Sequence, residues 1–144
     1  MKVLNFGSLN IDMVYSVDHV VRPGETTASA ELSYFCGGKG LNQSVALARA
    51  GAEVCHAGCV GADGGCLISF LRDNGVDTSL VTKSESPSGH AIIQVDRDGQ
   101  NSILLFGGAN MEITPEQIEN AVGNFSTGGR LFLQNEINGI PQII

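Results

Sequence analysis

Cys36-Gly37-Gly38-Lys39-Gly40-Leu41-Asn42-Gln43-Ser44 is the stretch that decides how this chain folds. Its glycines run into a segment with helical spacing, Asn42 to Ala50, which places Val45, Ala48 and Ala52 on one face, and Gly51 supplies the stop. Glycines at a helix N-terminus leave backbone N–H groups open, and the helix dipole there favours anions and electron-rich oxygens. A plain Gly-rich turn that caps a helix uses the same residues. The run is not a Walker-type phosphate loop. The first Gly of G-x-x-x-x-G-K-[ST] would fall at Ser33, and Gly40 follows Lys39 where Ser or Thr is required. Nor does a G-x-G-x-x-G follow a strand, which leaves a dinucleotide fold weakly supported.

Working outward, Val3 to Phe6 is a short apolar run ended by Gly7, and Glu53 to Val60 is another with the small residues of a strand buried on both faces. Strand, excursion, helix, strand is the α/β pattern. It repeats: Asp63 stands where a helix cap is needed, ahead of an inward face of Leu67, Phe70 and Leu71, and Gly75 closes that helix before Val76 opens an extended piece. Thr114-Pro115-Glu116-Gln117 is a capping box with Pro at the first helical position, followed by Ile118, Ala121 and Val122. Arg130 to Gln134 reads as a further sheet strand. Two places break the rhythm. Met13 to Tyr15 with a partner at Leu32 to Phe35, and Ala91 to Val95 with Ser102 to Phe106 across Asp98-Gly99, read as antiparallel pairs forming a small sheet that stands off the body as a lid.

A length of 144 residues with 42% hydrophobic and 16% charged residues describes one soluble globular domain and excludes a disordered tail. The net charge of -7, from 8 Lys+Arg against 15 Asp+Glu, argues against nucleic acid or an anionic membrane as partner. Asn5, Asn10 and Asp12 interrupt the N-terminal apolar run, so a signal peptide is not expected and the cytoplasm is the default compartment. Four cysteines without a C-x-x-C pair read as reduced, packed thiols, and no metal site is expected. Nineteen glycines are about twice the ordinary usage, clustered where turns or a bound molecule meet the backbone. Ile140-Pro141-Gln142-Ile143-Ile144 starts a helix at the very end of the sequence, from which the 144 residues are expected to be the N-terminal part of a longer protein.

Candidate ligand residues follow from position. Asn10 and Asp12 come directly after the first strand, at the carboxyl edge where open α/β sheets bind ligands. A carboxylate that accepts hydroxyls beside an amide that donates and accepts suits a polyol, although an Asx turn uses the same residues. Glu136, just past the strand ending at Gln134, reaches the same edge if that strand is parallel to the first. Asp63 is read as a cap rather than a catalytic acid. Gly107-Gly108-Ala109-Asn110 reads as a turn leaving the lid, with Asn110 bonding locally.

Ser8-Leu9-Asn10-Ile11-Asp12, Pro23-Gly24-Glu25-Thr26, Gly37-Gly38-Lys39-Gly40-Leu41-Asn42-Gln43, Gly61-Ala62-Asp63-Gly64, Gly108-Ala109-Asn110 and Gln134-Asn135-Glu136 occur in an order and spacing that resemble the PfkB-type carbohydrate kinases, the ribokinase family. The resemblance covers essentially the whole chain. It implies a three-layer, Rossmann-like α/β/α sheet with an antiparallel β lid inserted at about 12–36 and 89–107. It further implies a D-ribose pocket built by Asn10, Asp12, the Gly38 backbone, Lys39, Asn42 and Glu136, with Ala91 and Ile93 as apolar contacts from the lid. ATP and Mg²⁺ as co-substrate and its metal, an activating monovalent cation such as K⁺, and a homodimer through the lid strands are implied in the same way. The family's general-base Asp, in a Gly-Ala-Gly-Asp motif, would lie beyond Ile144 with the ATP-binding part, which leaves no catalytic residue in this stretch. A non-catalytic sugar-binding fragment, or a kinase for another sugar or a nucleoside, remains open at this point.

Overall fold

A computed structural model describes residues 2–123, 125 and 128–144. Its body is a four-stranded, all-parallel sheet in the order β5-β4-β1-β8, formed by β1 (Lys2–Phe6), β4 (Glu53–Val60), β5 (Asp77–Lys83) and β8 (Arg130–Leu133). Strand side chains alternate between faces, so β1 feeds two cores. Leu4 and Phe6 pack with Ile118, Ala121 and Ile143 of α3 (Pro115–Gly123) and α4 (Ile140–Ile143). Val3 packs with Leu41 and Val45 of α1 (Lys39–Arg49) and with Leu67 and Leu71 of α2 (Gly65–Asp73). Helices on both faces of one sheet give the expected three layers.

The second sheet has the order β3-β2-β6-β7, from β2 (Asn10–Ser16), β3 (Glu31–Gly37), β6 (Gly89–Val95) and β7 (Asn101–Phe106). The two hairpin pairs are antiparallel as the sequence indicates, but β2 and β6 join them in parallel, with Asp12 opposite Ala91. The sheet is therefore mixed rather than antiparallel. The reason is geometric: β2 continues from β1 and β6 follows β5, and β1 and β5 already run the same way.

Local corrections have physical causes. Asp63 does not cap α2, whose N-cap is Gly64 without a side-chain bond. Its Oδ1 instead accepts from the Ser88 backbone N–H (2.9 Å), fastening the start of β6 to the body. Burial opposes charging of Asp63, yet the Ser88 donors outweigh it and hold the carboxyl below its ordinary value. Phe70 and Val122 are 37% and 40% exposed, because the narrower inward stripes of α2 and α3 are filled by Leu67 with Leu71 and by Ile118 with Ala121. The capping box is present: Gln117 N–H donates to Thr114 Oγ1 (3.3 Å) and Thr114 N–H to Gln117 Oε1 (2.9 Å). No helix among the described residues is long and apolar enough to cross a membrane.

One polar chain runs through the α1-side core. Gln134 Nε2 donates to Asn5 Oδ1 (2.7 Å), Asn5 Nδ2 to Ser44 Oγ (2.7 Å), Ser44 Oγ to His56 Nδ1 (2.7 Å), and His56 Nε2 to the Gly7 carbonyl (3.2 Å). Because a carbonyl only accepts, Gly7 fixes the His56 tautomer, and each donor upstream is fixed in turn. Burial holds the His56 imidazole neutral, down to about 4 from an ordinary 6.5.

The unfolded chain takes up this proton below about 6.5 while the folded chain does not until about 4, so the unfolded state binds more protons in that window and stability falls as pH drops through it, by about 3 kcal/mol. Denaturant unfolding at about pH 7 and about pH 4.5 measures the difference. His56→Phe is expected to flatten it, and an unchanged slope in that variant would place the dependence elsewhere.

Candidate functional site

Ser8 joins the carboxyl end of β1 to the first turn of α1. The Ser8 carbonyl accepts from Leu41 N–H (3.0 Å), and its Oγ accepts from Gly40 N–H (3.2 Å) while donating to Glu136 Oε2 (2.7 Å). Helix α1 begins at Lys39, three residues before the Asn42 expected from the sequence, and its N-cap Gly38 offers no side chain. Glu136 fills that role from across the sheet: Oε2 accepts from Lys39 N–H (3.2 Å), and Oε1 is ion-paired with Lys39 Nζ. Burial works against ionisation of Glu136, but the Lys39 and Ser8 donors prevail and lower it below the ordinary carboxylate value.

Two glycines here answer to geometry. Gly38 has φ +96 and a Cβ would lie 2.9 Å from the Ser8 carbonyl oxygen. At Gly40 a Cβ would run into the backbone of Gly7 and Ser8, 2.7 Å from Gly7 Cα. The helix start can approach the strand end this closely only without side chains.

Asn10 opens β2 and is buried, and its Oδ1 accepts from Asn110 Nδ2 (2.7 Å). Asn110 also takes both backbone groups of Leu9, accepting from its N–H (2.9 Å) and donating to its carbonyl (3.2 Å). It bonds across the molecule rather than locally, the correction being that its turn folds back against β2. Asp12, two residues along β2, is raised above the ordinary carboxyl value by burial first and by the Glu136 charge second.

These groups share one cavity of about 330 Å³, lined by Asn10, Asp12, Gly38, Lys39, Asn42 and Glu136 on its polar side. Its apolar side is Ala91 and Ile93 of β6 with Ile103 and Leu105 of β7. All eight residues singled out from the sequence therefore meet at one place. Ile103 and Leu105 were not singled out, although their period-two spacing on β7 carries the signal. Ser8 and Asn110 line no part of the cavity but hold the groups that do. Chemically the cavity offers two carboxylates to accept hydroxyls, an ammonium and amides to donate, and an aliphatic wall for C–H surface. Among the described residues no three His, Cys, Asp or Glu side chains gather as a group that could hold a metal ion.

Replacing Gly40 with Ala forces α1 away from β1, and a loss of about 1–3 kcal/mol is expected from overpacking against backbone. Urea unfolding of Gly40→Ala measures it; an unchanged midpoint would contradict the close approach.

The pfkB family carbohydrate kinase model matches residues 1–137. Ribokinase of Staphylococcus aureus is 38% identical over 99% of this chain and 48% of its own length. The crystal structure of ribokinase from Thermotoga maritima superposes with a TM-score of 0.84 at 39% identity, covering 95% of this chain and 46% of that one. Arabidopsis thaliana ribokinase complexed with ribose and ATP gives 0.75 at 31% identity, covering 94% and 45%. The chain spans about half the length of the curated relatives it matches. With the family model matched over residues 1–137 and the fold superposing on solved ribokinases, the chain belongs to the pfkB family of carbohydrate kinases.

Proposed function

We propose that the protein phosphorylates D-ribose to ribose 5-phosphate with ATP, and that residues 1–144 supply its sugar-binding half. The observation that carries this reading is the convergence of Asn10, Asp12, Gly38, Lys39, Asn42 and Glu136 with an aliphatic lid on one small cavity. A volume of about 330 Å³ is at the low end of ordinary ligand pockets, suiting a monosaccharide. An Arabidopsis relative holds ribose and ATP together, and a Cryptococcus neoformans ribokinase structure holds ADP.

In this reading the Asp12 and Glu136 carboxylates accept hydrogen bonds from sugar hydroxyls, while the Lys39 ammonium and Asn42 amide donate to ring and hydroxyl oxygens. Ala91 and Ile93, together with Ile103 and Leu105, cover the sugar and exclude water from the hydroxyl that reacts. Phosphoryl transfer needs that hydroxyl held in line with the nucleotide's terminal phosphate and its proton accepted by a base. The base and the phosphate cradle belong to the half of the relatives' length that this chain does not cover. Mg²⁺ supplies charge neutralisation on the nucleotide. The exposed apolar side chains of the lid, Leu32, Tyr34 and Phe35 on β3 and Leu104 and Phe106 on β7, support homodimerisation lid to lid in the cytosol.

Calorimetric titration tests the sugar site directly. D-ribose is expected to bind, and Asp12→Asn to weaken it about 10- to 100-fold, the range for losing a hydrogen bond to a charged group. Because Asp12 sits above the ordinary carboxyl value, affinity should also fall as pH drops through that raised value. Unchanged affinity in Asp12→Asn removes the sugar reading. Ribose-dependent release of ADP by the full protein, but none by the 144-residue chain alone, is the expected division; robust turnover by the chain alone would overturn it.

A further inference from the structure

Outside the cavity two thiols from different elements meet. Cys36 lies on β3, opposite Ile11 and directly before Gly37-Gly38-Lys39. Cys66 is in the first turn of α2. The Cys36 Sγ is 3.7 Å from the Cys66 carbonyl oxygen, and the Cys66 thiol donates to the Asp63 carbonyl (3.9 Å). Helix α2 packs directly on β3, so the Cys36 side chain reaches the Cys66 backbone across that contact. Cys66 is exposed and Cys36 partly so. The remaining cysteines differ: Cys59 is 1% exposed, and burial with the Asp77 charge pushes the Cys55 thiol up to about 11.

We propose that Cys36 and Cys66 are a modification site that closes into a reversible disulfide by exchange with a low-molecular-weight disulfide, stapling the root of the second sheet to α2. The thiolate of Cys66, the accessible member, attacks one sulfur of the small disulfide and displaces a thiolate. The Cys36 thiol gives its proton to solvent and attacks the Cys66 sulfur of the mixed disulfide, releasing the second small thiolate. Two protein thiols are oxidised and one small disulfide is reduced to two thiols. Burial, and then the neighbouring Cys66, hold the Cys36 thiol above its ordinary value, so the closing step quickens as pH rises. The bond closes a loop spanning β3, α1 and β4, which restricts the unfolded chain and raises the melting temperature. The site is independent of the sugar and of the function proposed above.

The test is incubation of the native protein with oxidised glutathione, followed by peptide mapping and thermal unfolding. One disulfide linking the Cys36 and Cys66 peptides is expected, with the raised melting temperature reversed by dithiothreitol and with no crosslink in Cys66→Ser. Glutathione held on Cys66 without closure would overturn the proposal. So would closure only in denaturant, or equal reaction at Cys55 and Cys59.

Discussion

The contact between the carboxyl end of β1 and the first turn of α1 is the constraint on which this structure depends. Gly7 and Gly40 meet there without side chains, and Ser8 spends its carbonyl and its hydroxyl on the junction and on Glu136. Beneath them the Gln134, Asn5, Ser44 and His56 chain ends on the Gly7 carbonyl, tying strand, helix and neighbouring strand by donors with one permitted direction each. Removing a single member leaves a buried polar group unmatched, which costs more than the bond itself contributes. Shifting α1 would carry Lys39, Asn42 and the Gly38 backbone with it, since all three stand at its start.

Electrostatics at the cavity are set by the same junction. Glu136 is the N-terminal cap that α1 lacks in its own sequence, supplied by a residue 97 positions away. Its charge is held by Lys39, Ser8 and the helix N-terminus, and that charge helps to keep Asp12 easier to protonate than an ordinary carboxyl. Two carboxylates in one small cavity thus differ in basicity because their surroundings differ. Glu136 already accepts from Ser8 and twice from Lys39, with one acceptor site to spare, whereas Asp12 lines the cavity with more acceptor capacity to offer a hydroxyl.

The second sheet turns a strand end into an enclosure. Its central parallel pair, β2 and β6, roots it at two points of the body: Asn110 clasps Leu9 and Asn10, and Asp63 clasps Ser88. One face of its strands then supplies Asp12, Ala91, Ile93, Ile103 and Leu105 to the cavity. Strands β3 and β7 form the edges and leave Tyr34, Phe35 and Leu104 exposed to water.

Much of this was legible in the chain itself. Period-two and helical spacing with Gly and Pro punctuation located the strands, the four helices and the lid hairpins, because burial of one face imposes those periods on any sequence that folds this way. The position of Asn10, Asp12 and Glu136 just past parallel strands placed them at the ligand-binding edge, while Lys39, Asn42, Ala91 and Ile93 came from resemblance rather than from pattern. What the chain alone left undecided were partnerships between distant residues. Asp63 fastens β6 instead of capping α2, Asn110 reaches back to β2, β2 and β6 run in parallel, and Cys36 meets Cys66. Local sequence determines periodicity, turns and caps, since these depend on neighbours within a few positions. Only the tertiary structure decides which donor finds which acceptor a hundred residues away, because that choice belongs to the packed geometry of the whole.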